Sequence, residues 1–93
     1  MSQPPESFRS LLLRNRGRTG LIQRELAARA GASTRSMQDW EAGATLPTPR
    51  RLQDLIRAIL EPGGLTLGHE RSAARELWTA VQREAPPYAR VVP

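Results

Sequence analysis

The residues best suited to chemistry in this sequence are polar side chains spaced for hydrogen bonding. Four of them recur at intervals of three and four residues, which places them together on the outward part of a helix: Thr34, Arg35, Gln38 and Asp39. Their hydroxyl, guanidinium, amide and carboxylate groups are the kinds that bond to base edges in the major groove of DNA. An exposed helix face of that width fits the major groove, and Arg35 could form a bidentate bond with guanine. A simple surface arginine is the alternative for Arg35.

Motifs for catalysis are absent from the sequence. His69 is the only histidine and there is no cysteine, so paired imidazoles, thiolate zinc sites and disulfides are excluded. The glycines from Gly63 to Gly68 lack the lysine and the serine or threonine of a phosphate-binding loop, and no serine elbow of a hydrolase occurs. We therefore expect no enzyme activity, no metal and no cofactor.

Positive charge is concentrated in two segments on either side of a neutral one. The net charge is +5, and all 14 basic residues are arginines. Residues 1–20 carry four arginines and one glutamate, and residues 44–60 carry three arginines and one aspartate, whereas 21–43 balance to zero. Two such segments are typical of arms that grip a polyanion, and ordinary solvated helix surface is the alternative. The arginines predicted to bind phosphate are Arg16, Arg18, Arg50 and Arg51.

Apolar spacing and breaker residues predict five helices. Helix one begins near Phe8 and stops in the breaker-rich stretch Asn15–Gly20, and helix two runs over Gln23–Ala30 until Gly31 turns the chain. Ser33 then caps helix three, with its reading part from Thr34 to Trp40 and its end near Gly43. Thr48–Pro49 starts helix four, and helix five runs from Gly68 or His69 to Glu84. Helix four carries an apolar stripe: Leu52, Leu55, Ile56, Ile59 and Leu60.

Helices two and three have the spacing of a pair that crosses through a tight turn. Small Ala27 allows their close approach, Gly31 makes the corner, and Met37 and Trp40 fix helix three to the core. The predicted structural core comprises Leu26, Ala27, Gly31, Met37, Trp40, Leu52 and Leu55.

The same run of residues resembles the signature of the repressor and Cro (XRE-like) helix-turn-helix family over roughly Phe8 to Leu60. The matching positions are Gln23, Glu25–Leu26–Ala27, Gly31, Ser33, Trp40–Glu41 and Gly43. The resemblance implies an all-α, compact five-helix bundle of the lambda-repressor-like type, with the helix-turn-helix at helices two and three. It also implies sequence-specific binding of double-stranded DNA in transcriptional regulation.

By this resemblance Gln23 would bind a phosphate, and Thr34, Arg35, Gln38 and Asp39 would occupy the base-reading positions. Glu41 would be a structural acid held by an internal arginine or by the backbone.

Two positions depart from the family pattern. Ile22 stands where a serine or threonine cap is usual, so that helix two starts weakly or Ile22 is packed instead. Asp39 brings negative charge to the reading face, where phosphate would repel it unless it accepts a hydrogen bond from a cytosine amino group or orients Arg35.

A protein-interaction role is the alternative. The segment Leu65–Arg71, continuing through Glu76–Leu77–Trp78, resembles the stretch after the helix-turn-helix in amino-terminal modules of large bacterial signalling ATPases of the STAND type. That resemblance implies a protein partner or further carboxy-terminal domains of a longer parent chain. If the chain binds DNA instead, two copies would cover two half-sites, and helix five is the predicted homodimer surface.

The predicted organisation is a flexible amino terminus over 1–6, one helix-turn-helix domain over 7–84, and a proline-rich tail or linker over 85–93. Met1–Glu6 is polar and no run is long enough to span a membrane, so we expect no signal peptide, no membrane contact and a cytoplasmic protein.

Overall fold

The computed structural model describes residues 6–65 and 68–85, and within them the chain is helical, with no strand. The five helices are α1 (Phe8–Thr19), α2 (Gln23–Arg29), α3 (Thr34–Ala42), α4 (Pro49–Leu60) and α5 (Glu70–Glu84). The predicted all-α class and the number of helices are confirmed. Residues 1–5, the dipeptide 66–67 and most of the predicted tail, 86–93, lie outside the described residues.

Helix α1 ends inside the stretch Asn15–Gly20, as predicted. It continues through the stretch of breakers to Thr19, and Gly20 ends it in the left-handed conformation. The reason is packing, because Asn15 follows Phe8, Leu11 and Leu12 on one buried face. Burial of that face outweighs the cost of Gly17 in a helix, about 1 kcal/mol.

The connection between α2 and α3 is a short turn centred on Gly31. Gly31 has φ +68°, which favours glycine, and its amide hydrogen bonds to the carbonyl of Ala28. The sequence placed Gly31 in the core, which is wrong: it lies exposed in the turn, where its backbone conformation is what the fold needs. Ser33 caps α3 as predicted, since its hydroxyl accepts a hydrogen bond from the amide of Ser36 at 3.0 Å.

Helices α4 and α5 complete the core. Thr48 caps α4 through the amide of Arg51, and proline occupies the first turn. Leu60, expected in the apolar stripe of α4, is 45% exposed, because the buried face runs instead through Leu52, Leu55, Ala58 and Ile59. The other predicted core side chains are all buried: Leu26, Ala27, Met37, Trp40, Leu52 and Leu55.

The first and last helices are joined directly. The amide of Phe8 donates to the Glu84 carboxylate at 2.7 Å, and an Arg83 guanidinium nitrogen donates to the carbonyl of Glu6 at 2.9 Å. α5 also packs along α1 and α4 through Leu77, Ala80 and Val81. No helix among the described residues is long and apolar enough to cross a membrane.

Candidate nucleic-acid interface

The candidate interface is the outward face of α3. Its inward face is set by Met37, Trp40 and Glu41, all buried. On the opposite side the Arg35 side chain is 82% exposed and Gln38 is exposed, whereas Thr34 and Asp39 are half-buried at the flanks. The four predicted base-reading residues therefore share one side of a single helix, and apolar packing on the other side fixes its orientation.

The first turn of α4 contacts the turn that precedes α3. Arg51, in the first turn of α4, donates from Nη1 to the carbonyl of Gly31 at 2.8 Å, in the turn before α3. Arg51 remains exposed, as does its neighbour Arg50. The structure thus brings Arg51 next to the turn before α3, and Arg50 precedes it in the same turn of α4.

Glu41 joins three helices from a buried position. Its side chain is 5% exposed, and its carboxylate accepts hydrogen bonds from Arg16 Nε at 2.6 Å and from Arg16 Nη2 at 3.1 Å. Gln23 Nε2, at the start of α2, donates to the same carboxylate at 2.8 Å. A buried carboxylate with a charged partner and several donors is the arrangement in which an ion pair offsets its own desolvation. We call Glu41, Arg16 and Gln23 the Glu41 cluster.

Arg16 has a different role from the predicted one. Its guanidinium turns inward to Glu41 and also donates from Nη1 to the carbonyl of Leu21 at 3.1 Å, which leaves the side chain 23% exposed. Its donors are used inside the protein, so it is not available to phosphate in this arrangement. Gln23 uses one amide N–H on Glu41 and keeps the second. Arg18, near the end of α1, is exposed.

Ile22 is not packed into the core, contrary to one of the two expectations for it. It is 52% exposed, and its side chain offers no capping oxygen. Instead, the Glu25 carboxylate accepts a hydrogen bond from the Ile22 amide at 3.1 Å. Half of a capping box therefore replaces the missing serine or threonine at the start of α2.

Asp39 is hydrogen-bonded to Arg35. Arg35 Nε lies 3.2 Å from Oδ1 and 3.4 Å from Oδ2 of Asp39, one helical turn away. This is the contact that the second predicted role of Asp39, the orientation of Arg35, requires.

Sequence reasoning missed Arg9. Its Nε donates to the backbone carbonyl of Glu41 at 3.1 Å, which secures the end of α3 to α1. The two residues are 32 positions apart, and no local spacing signals such a contact. The capping role of Glu25 was also missed, because Glu25 was named only among the residues that carry the family resemblance. Its position three residues after Ile22 is the signal that could have identified it.

No family model, curated protein or solved structure matches the chain significantly. Among residues 6–65 and 68–85, no group of three or more histidine, cysteine, aspartate or glutamate side chains is placed to hold a metal ion.

Proposed function

We propose that this chain binds duplex DNA sequence-specifically, as a repressor and Cro-like helix-turn-helix of the lambda-repressor-like type, in the regulation of transcription. The observation that carries the proposal is the exposed polar face of α3, backed by Met37 and Trp40 in the core and by the Glu41 cluster behind its last turn. An α-helix fits into the major groove, and a helix held rigidly by the core keeps its side chains aligned with the base edges.

In this proposal the residues divide into two roles. Arg35, Gln38, Thr34 and Asp39 face the base pairs, and the exposed arginines around them bind phosphates. Arg51 lies beside the turn before α3, with the exposed Arg50 in the same turn of α4, and these two residues give the strongest support for a backbone contact. Arg18 and the second amide N–H of Gln23 are the other proposed phosphate donors. Phosphate contacts of this kind hold the register of the protein on the duplex and carry no sequence information.

The test is selection of bound sequences from a random duplex pool, followed by fluorescence anisotropy titration of the enriched duplex at several salt concentrations. We expect an enriched motif and an affinity that falls steeply with salt. Arg35→Ala should weaken binding to the enriched duplex by about 5- to 150-fold, which corresponds to about 1 to 3 kcal/mol.

Arg57→Ala is the matched control, since Arg57 is an exposed arginine in the last turn of α4, at the end of that helix opposite to Arg50 and Arg51. It removes the same charge and should change affinity far less than Arg35→Ala. The proposal fails if no motif is enriched, or if the chain binds duplex DNA no better than an unrelated helical protein of equal net charge.

A protein-interaction module of a larger signalling ATPase is our second proposal, favoured by a groove between α1 and α5. Leu11 lines the groove, with Ser72, Thr79 and the charged Arg75 and Glu76 around it. Glu6 and Arg83 also line the groove, so its two acidic and two basic residues balance. A concave surface with charges of both signs suits a protein segment better than a phosphate backbone. Sequencing the gene beyond the codon for Pro93 tests this proposal. An open frame that encodes a nucleotide-binding domain supports it, and an immediate stop codon contradicts it.

Pairing of two copies through α5 stays a prediction. The exposed side of α5 is polar and includes Arg71, Ser72, Arg75, Glu76 and Gln82, so such an interface would rest on hydrogen bonds and ion pairs more than on apolar burial. Light scattering after size-exclusion chromatography, with and without the enriched duplex, measures the number of copies.

A further inference from the structure

We infer that Asp39 is a positioning residue that sets Arg35 for end-on recognition of guanine, so that the DNA bound by α3 contains a G·C pair opposite Arg35. The inference rests on the proposed DNA binding and deepens it, because it names the base and the atoms that recognise it.

The geometry of the pair determines which donors remain. Arg35 Nε points to both carboxylate oxygens of Asp39, at 3.2 and 3.4 Å. A guanidinium has five N–H groups, and the four on Nη1 and Nη2 lie at the end opposite the stem. With Nε engaged, these terminal groups form the fork that remains, and their spacing matches the O6 and N7 acceptors of guanine.

Helix stability does not account for the pair. Arg35 lies in the first turn of α3 and Asp39 in its second half, so each charge stands at the end of the helix where the helix dipole disfavours it. The order of a basic residue followed by an acidic one is also the weaker orientation for a pair four residues apart. With 82% of the Arg35 side chain exposed, solvent screens the attraction as well.

The energetic role is therefore one of preorganisation. An arginine on an exposed helix surface samples many rotamers, and binding must fix one of them. Asp39 restricts the guanidinium plane before DNA arrives and remains neutralised by Arg35 afterwards. Arg35 then neutralises the negative charge of Asp39 on the DNA-facing helix, and Asp39 itself lies at the half-buried flank of that helix.

The experiment uses the enriched duplex in three forms: unchanged, with 7-deazaguanine at each guanine in turn, and with G·C replaced by A·T. The deaza base lacks the N7 acceptor alone. We expect one guanine at which the deaza substitution strongly lowers the affinity of the wild-type protein but hardly changes the affinity of Arg35→Ala. Such coupling is expected of two groups in contact. Asp39→Ala should reduce discrimination at that guanine by about 2- to 10-fold.

Asp39→Asn is the conservative variant, since its amide keeps one acceptor oxygen for Arg35 Nε; it should retain more discrimination than Asp39→Ala. Melting curves of the variants check that this substitution leaves the fold intact. If Asp39→Ala raises affinity for the unchanged and substituted duplexes by the same factor, Asp39 is only a repelling charge and the inference is overturned. The inference is also overturned if the wild-type protein binds a motif but no guanine in it shows coupling to Arg35. Failure of the wild-type protein to bind any motif contradicts the proposed function itself.

Discussion

Arg16 and Glu41 form a two-point ion pair that joins α1 to α3, with Nε 2.6 Å from Oε2 and Nη2 3.1 Å from Oε1. The Glu41 side chain is buried, while the Arg16 side chain is 23% exposed. Removal of the arginine would leave a buried negative charge with Gln23 as its remaining side-chain donor. The pair therefore couples the stability of the fold to the orientation of the candidate reading helix.

We expect Arg16→Met to lower the free energy of unfolding by about 2 to 3 kcal/mol, somewhat less than for a fully buried pair because Arg16 is partly exposed. Arg14→Met on the same helix is the control: Arg14 pairs with Glu6 at the surface, and its loss should cost less than about 1 kcal/mol. Urea unfolding followed by circular dichroism measures both variants. Equal losses for the two substitutions would contradict the assigned role of the Glu41 cluster.

Gly64 is a site of close packing between the end of α4 and the end of α1. A Cβ atom there would lie 2.6 Å from Ile59 Cγ2 and 2.8 Å from the Asn15 carbonyl oxygen. Gly64→Ala should therefore destabilise the protein by about 1 to 3 kcal/mol. Gly17→Ala, in open space within α1, should stabilise it by about 0.5 to 1 kcal/mol. Thermal melts test the opposite signs, and a stabilised Gly64→Ala would show that the two helix ends are not in contact.

Glu70 predicts a pH dependence of stability at the start of α5. Hydrogen bonds from its own amide and from the amide of Gly68, with the nearby His69, hold the pKa of its carboxyl below the ordinary value of 4.5. Because the folded-state pKa is the lower one, the stabilisation is fully present above pH 4.5 and is lost as pH falls through the folded-state pKa.

Glu70→Gln should therefore be less stable than the wild type near neutral pH, and the difference should shrink below pH 4.5. Denaturant unfolding at a series of pH values measures it, with Glu61→Gln as an exposed carboxylate control. A difference that does not change with pH would contradict the stabilising role of the Glu70 carboxylate.

Arg50 is predicted to contact a phosphate rather than a base. Arg50→Ala should weaken binding to enriched and scrambled duplexes by similar factors and reduce the slope of log affinity against log salt by about 1. Arg57→Ala, an exposed arginine near the other end of α4, should leave that slope unchanged. Anisotropy titrations over a salt series measure this slope for both variants. A change of the preferred motif in Arg50→Ala would instead assign Arg50 to the base-reading residues.

Local signals predicted the helices well because caps and turns depend on neighbouring residues. Ser33, Thr48 and Gly31 each act within three or four positions, and the helix starts they predict are found. The end of α1 was predicted only to within the stretch Asn15–Gly20, because packing around Asn15, which local preference does not show, keeps most of that stretch helical. Arg16 was assigned to phosphate because its charge is visible in the sequence, whereas its partner lies 25 residues away. The Arg35–Asp39 pair was anticipated since four-residue spacing is itself local.

The hydrogen bond between Phe8 and Glu84 brings the start of α1 and the end of α5 together. The stability of the domain then depends on the contacts between the helices and not on their order along the chain. Joining residue 84 to residue 6 by a short linker and opening the exposed connection at Ala44–Thr45 would give a circularly permuted protein with the same interhelical contacts. In that permutant α3 would become the last helix of the chain, with its Arg35 face still mounted on the same core.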